Sequence, residues 1–324
     1  MQRDTAAQSQ HAAEEAVTRI SRPSGASSAG SAPSAPRPTG QLSPGPLHAL
    51  GVVGSTQDEA SQRLAAGERA PFTVTARAQR AGRGRLGRTF ESPEGASLSL
   101  THVHRTSLPP QRRGWFAHAA GLAALAAIGE VLGADGERLG LKWPNDLHTE
   151  SGRKLGGILL EARGADHVLL GIGMNFAASP VPGAAWLRGP GGVRPGPVPD
   201  EEGLDAALGA ALARALVAEL AALESAGGDG VLAGTFDRYT VSCLTFERAV
   251  RVDPLGEDRT GGAQAPSLHG VARSVDEFGR LVVELEGGES VAVDVGDVRH
   301  LRPVDPDQGA ADDARGIGQE EHAR

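Results

Sequence analysis

The chain has 324 residues, 40% of them apolar and 22% charged, with a formal net charge of −8. That acidic balance argues against a general nucleic-acid or anionic-membrane binder, and the single cysteine, Cys243, excludes an internal disulfide framework and a multi-cysteine metal site. No apolar run approaches the ~18–20 residues of a membrane span and no apolar leader opens the chain, so the expectation is a cytoplasmic globular protein without a membrane partner.

Residues 1–46 are rich in Ala, Ser, Pro and Gln. Such a stretch cannot bury enough apolar surface to offset its ordering entropy, so it reads as a disordered tail with room for one short helix over Ala12–Ile20. A main domain follows over 47–245. Thr56–Ala66 has a helical pattern with Ser55 or Thr56 as its N-cap. Phe72–Ala78 and Ala96–Val103 alternate like strands around a Gly/Arg loop at Gln79–Arg88. Gln111–Leu132 carries Trp115, Ala119, Leu122, Leu125 and Val131 at helical spacing, which predicts a long core helix. Three strands come next, Leu139–Trp143, Lys154–Ala162 and His167–Met174. Polar turns too short for a helix join them, so their pairing should be antiparallel. Ser179–Asp200 is a Pro/Gly loop, and Leu204–Leu223 and Val231–Cys243 read as helices. From 246 to 304 the texture turns to short β-patterned runs at Arg248–Val252, Leu268–Val275, Leu281–Glu286 and Ser290–Val295, which suggests a small barrel with an insertion at Gly256–Pro266. Residues 305–324 form a second disordered, acidic tail.

Residue scarcity points to a site. The chain has only two lysines, Lys142 and Lys154, and only two asparagines, Asn145 and Asn175, although Lys and Arg together number 32. Arginine replaces lysine freely on a solvated surface, but not where a compact ammonium must fit. A separate signal is the loop Gln79-Arg80-Ala81-Gly82-Arg83-Gly84-Arg85-Leu86-Gly87-Arg88. Its glycines let backbone amides approach an anion, and Arg83, Arg85 and Arg88 supply forked, permanently charged donors for a phosphate or carboxylate. Gly82, Gly84 and Gly87 match G-x-G-x-x-G, but a strand follows instead of a helix and no acid lies near His102–Thr106. A dinucleotide-binding reading therefore fails on context, and a Walker loop fails for want of Gly-Lys-Ser/Thr.

Lys142-Trp143-Pro144-Asn145-Asp146 ends a strand in a turn, and Lys154 sits at the entry of the returning strand, Lys154-Leu155-Gly156-Gly157-Ile158-Leu159. With Gly171-Ile172-Gly173-Met174-Asn175, these glycines clear a sheet surface for a flat small molecule, unless they serve only tight helix-on-sheet packing. For Lys142 and Asp146 the simpler reading is an ion pair or a turn cap.

Taken together, Ser55-Thr56, the Gln79–Arg88 loop, Ser92-Pro93-Glu94-Gly95, Lys142–Asp146, Arg153–Leu159 and Gly171–Asn175 resemble the biotin protein ligase family in order and spacing. The resemblance implies an α+β fold: a mixed, largely antiparallel sheet with helices on one face, as in class II synthetases, plus a small SH3-like β-barrel. It implies two reactions. Biotin and ATP first give biotinyl-5′-AMP, and the biotinyl group then passes to a lysine of a biotin carboxyl carrier protein domain, expected to belong to an acyl-CoA carboxylase. Ser55, Thr56, Gln57 and Gln79 would line the biotin ring. Arg83, Gly84 and Arg85 would hold the biotin carboxylate and the adenylate phosphate, with Arg88 on the pyrophosphate and Phe90 as an aromatic lid over the nucleotide. Lys154 would bridge carboxylate and α-phosphate, and Asn175 would assist ATP or Mg²⁺, which arrives on the ATP phosphates with no protein ligand assigned.

Two positions depart from the family pattern. Gln57 stands where Asn is usual, and Phe90 where Trp is usual, losing an indole N–H. Residues 1–46 are too short for the winged-helix domain of some relatives, so the expectation is a monofunctional ligase without a nucleic-acid partner. A homodimer through the sheet edge stays open. The competing readings are a lipoate-type protein ligase and a non-catalytic biotin- or nucleotide-binding sensor.

Overall fold

The computed structural model describes residues 17–19, 42–88, 90, 94–177, 181–194, 201–254, 267–294 and 296–300. The Gly256–Pro266 insertion, Ser92-Pro93, the tail beyond 304 and parts of the Ser179–Asp200 loop lie outside these residues.

A seven-stranded sheet carries the main domain, in the order β2 (Leu47–Val53), β3 (Phe72–Gln79), β4 (Ser97–Arg105), β8 (His167–Asn175), β7 (Lys154–Arg163), β6 (Asp146–Thr149), β5 (Leu139–Lys142). Only β2 and β3 run parallel, because helix α1 (Thr56–Ala65) crosses between them; every other pair is antiparallel. Strands β2 and β6 escaped the sequence pattern. Strand β6 corrects the expected pairing: it lies between β5 and β7, two strands expected to be direct neighbours.

Alternation along β4 decides which helix lies on which face. Leu98 and Leu100 join the large core under α2 (Trp115–Leu132) and α3 (Glu201–Ser225), while Val103 joins Ala60, Phe72, Val74 and Leu169 in a separate cluster under α1. Helix α1 therefore packs on the opposite face, which corrects the expectation of helices on one face only. Ser55 is its N-cap and accepts from the Gln57 backbone N–H at 3.2 Å. Helix α2 is apolar nearly all round and sinks into the core; a Cβ at Gly121 would lie 2.8 Å from a terminal methyl of Leu141, which would have to shift. Two stretches, Pro110–Leu132 and Gly203–Ser225, are long and apolar enough by composition to cross a membrane, contrary to the first reading. Both lie in the core, where α2 and α3 pack on one another and on the sheet.

The C-terminal part is an antiparallel sheet ordered β1 (Val17–Arg19), β12 (Ser290–Val293), β11 (Leu281–Leu285), β10 (Leu268–Val275), β9 (Ala249–Pro254), β13 (Gly296–His300). Val17–Arg19 pairs with Val291–Val293 as a strand, where a helix was expected. The remaining helix, α4 (Thr235–Ser242), packs on α2 and β5. The β10–β11 turn is tied to the main domain through backbone carbonyls. Trp115 Nε1 donates to Glu277 O (2.8 Å), and both His118 Nε2 (2.8 Å) and Trp143 Nε1 (3.2 Å) donate to Gly279 O.

Candidate active site

Register in the sheet builds a floor in which glycine holds three of six positions. Ser99, Gly173 and Gly157 form one row across β4, β8 and β7, and Thr101, Gly171 and Leu159 form the next. This is the α1 face, and a cleft of about 450 Å³ opens above it. Gly173 and Gly157 lie directly beneath side chains of the cleft. A Cβ at Gly173 would meet the Phe90 ring at 2.8 Å, and one at Gly157 would come within 3.3 Å of Asp146 Oδ1 and 3.5 Å of Lys154 Nζ. Gly156 plays a different part: a Cβ there would strike the Gly173 carbonyl at 2.2 Å, so it serves strand approach and not the floor.

At the α1 end the polar groups are fixed in a chain. Gln79 Oε1 accepts from the Thr56 backbone N–H (2.8 Å) and from Thr56 Oγ1 (3.1 Å), and Thr101 Oγ1 donates to Thr56 Oγ1 (2.9 Å). Gln57 Nε2 donates to Leu159 O (3.2 Å), while its buried Oε1 has no partner among the described residues. A buried acceptor left open costs free energy unless a donor reaches it. This end of the cleft thus holds one unmet, buried acceptor among the described residues.

The other end is charged. Lys154 Nζ lies 2.6 Å from Asp146 Oδ1, and His148 Nε2 lies 3.8 Å from Oδ2. Burial pushes the Asp146 carboxyl up, but His148 and Lys154 outweigh it and hold the group below its ordinary value. The ion pair expected at this turn for Lys142 and Asp146 is seen for Asp146 with Lys154, the lysine at the strand entry. Asn145 is clamped to β7, its Nδ2 donating to Ile158 O (2.6 Å) and its carbonyl accepting from Ile158 N–H (2.8 Å). Its free amide oxygen accepts from Arg85 Nη1 at 3.0 Å, which joins the Gly/Arg loop to the 142–146 turn across the cleft.

Of the residues singled out in the sequence, Ser55, Thr56, Gln57, Gln79, Arg83, Gly84, Arg85, Arg88, Phe90 and Lys154 all line this cleft. Asn175 does not: its Nδ2 donates to Ala185 O at 2.9 Å and its carbonyl accepts from Leu187 N–H, so it ties β8 to the following segment. Ser99 and Asn145 line the cleft without having been assigned a role. Ser99 could not be found locally, because its place depends on β4 pairing with β8, a partner far along the chain.

The chain is similar to known proteins in sequence and in fold. Residues 51–175 match the model of the biotin/lipoate A/B protein ligase family. The chain is 34% identical over 262 residues to a biotin–[acetyl-CoA-carboxylase] ligase of Mycobacterium tuberculosis, covering 79% of this chain and 89% of that one. It is 33% identical over 256 residues to the enzyme of the same name from Paracoccus denitrificans, covering 75% of this chain and 95% of that one. In three dimensions it resembles the biotin protein ligase of Aquifex aeolicus solved with biotin and ATP. The TM-score is 0.59 at 22% identity, with 79% of this chain and all of that chain covered, a likeness of fold.

Proposed function

This chain belongs to the biotin protein ligase family, and we propose from that premise that its cleft activates biotin with ATP and delivers it to a lysine of a biotin carboxyl carrier protein domain. The observation that carries the reading is the convergence of Arg83, Arg85 and Lys154 on one glycine-floored cleft whose far end is lined by Gln57, with a buried acceptor unmet among the described residues.

The chemistry requires that arrangement. A carboxylate and a phosphate repel, so bond formation between them needs fixed cations where negative charge accumulates. A biotin carboxylate oxygen would attack the α-phosphorus, the bond to the β-phosphate bridging oxygen would break, and pyrophosphate would leave. The carrier amine would then attack the anhydride carbonyl, lose a proton and expel AMP. Arg83 and Arg85 would hold the carboxylate and α-phosphate, Lys154 would span both, and Arg88 would meet the pyrophosphate. Thr56, Gln57 and Gln79 would seat the ring of biotin, with Gln57 Oε1 accepting one ring N–H. Phe90, packed over Gly173, would cover the nucleotide side. Among the described residues no three His, Cys, Asp or Glu gather to hold a metal, so Mg²⁺ would rest on the phosphate oxygens of ATP and neutralise their charge. The C-terminal sheet, an open antiparallel array among the described residues, fits the layout of an SH3-like domain. Its carbonyl ties to α2 and to Trp143 would brace the wall of the cleft.

The test is pyrophosphate exchange into ATP with biotin or lipoate as the acid, followed by transfer to a purified carrier domain. Biotin-dependent exchange and labelling of one carrier lysine are expected. Exchange with lipoate alone would favour the lipoate-type reading, and binding without exchange the sensor reading.

A further inference from the structure

Arg83 already grips a carboxylate. Its Nη1 and Nη2 donate to Asp58 Oδ2 and Oδ1 at 2.9 and 2.8 Å, and Glu161 Oε1 stands 3.7 Å from Nη2. This two-pronged geometry is the one a guanidinium makes with a carboxylate ligand. Asp58 follows directly on Ser55, Thr56 and Gln57 in the first turn of α1, but it does not line the cleft. Glu161 is engaged elsewhere, by Arg163 Nη2 at 2.5 Å, which leaves Asp58 as the main partner. The hydrogen bond from Arg83 holds the Asp58 carboxyl below its ordinary value despite some burial.

We propose that Asp58 is an internal competitor for the substrate carboxylate: it occupies the fork of Arg83 until an incoming acid displaces it, and so sets the affinity for that acid. The inference rests on the reading of Arg83 as the carboxylate's partner. A ligand without a carboxylate leaves the pair intact and gains nothing from its removal. Both side chains are substantially exposed, 39% for Arg83 and 47% for Asp58, and such pairs are weak. The competition therefore amounts to roughly a two- to fivefold change in affinity.

The experiment is calorimetric titration of the full chain, as wild type, Asp58→Asn and Asp58→Glu, with biotin and with the neutral biotinamide. Asp58→Asn should bind biotin roughly two- to fivefold more tightly with biotinamide unchanged, and Asp58→Glu, which keeps the competitor, should stay near wild type. Equal or weaker biotin binding by Asp58→Asn would overturn the inference, because Asp58 would then be steadying Arg83 for its ligand. A parallel gain for both ligands would overturn it too, by marking a merely structural effect. Wild-type protein that binds neither ligand would defeat the biotin reading of the cleft, and this inference with it.

Discussion

Gly171 lies directly beneath Gln57: a Cβ at position 171 would stand 3.0 Å from Gln57 Nε2 and 3.2 Å from its Cδ. The longer amide is thus accommodated by an empty position on the floor and anchored by Leu159 O. Gly171→Ala should push Gln57 off that anchor and move its open oxygen. The expected result is a KM for biotin raised about tenfold with kcat little changed, in line with the ~1–3 kcal/mol of an added methyl in a packed site. Exchange kinetics at varied biotin measure it. An unchanged KM would remove this end of the cleft as the seat of the ring.

Lys154 is one of two lysines in a chain that otherwise uses arginine. Its Nζ, 2.6 Å from Asp146, stands above Gly157 where a wider head group would meet the floor. Lys154→Ala should lower pyrophosphate exchange by about 10²–10³, the usual loss for a transition-state donor. Lys154→Arg should fail to restore it, because a planar fork cannot replace a point charge in that space. Near wild-type exchange in either variant would sink the role.

The junction of the two sheets leaves no space at Gly114, where a Cβ would fall 2.0 Å from Phe278 O. Because the obstacle is backbone, it cannot swing aside. Gly114→Ala should cost about 1–3 kcal/mol and lower Tm by several degrees. Hydrogen exchange should locate the loosening in the β10–β11 turn. Equal protection of that turn in mutant and wild type would show that the junction is not rigid there.

Acid should weaken the fold before it titrates the carboxylates. Burial lowers His102 to about 3 and, against an opposing hydrogen bond to Gly279 O, lowers His118 to about 4, both from an ordinary 6.5. Between those values and 6.5 the unfolded chain binds protons that the native state refuses, so stability rises with pH across this window and falls as pH drops through it. At pH 5 each group should remove about 2 kcal/mol relative to pH 7.5. Denaturant midpoints at the two pH values check the slope. A flat response would mean that these rings are reached by water.

The sequence determined much of this protein. Ser55 as a cap, the spacing of α2, the Gly/Arg loop and the Lys142–Asp146 turn are local signals, set by neighbours within a few residues, and the loop and the turn carried the resemblance to the family. What only the tertiary structure decided are relations across long separations. Thr101, Gly171 and Leu159 share a row because three strands fell into one register, and that register made the floor. Alternation along β4 assigned α1 to the face opposite α2 and α3. Asn175, at the end of a glycine-punctuated strand, turned to Ala185, and Arg83 turned to Asp58. A side chain's partner depends on which backbone groups and charges folding brings within 3 Å, and periodicity along the chain contains no record of that distance.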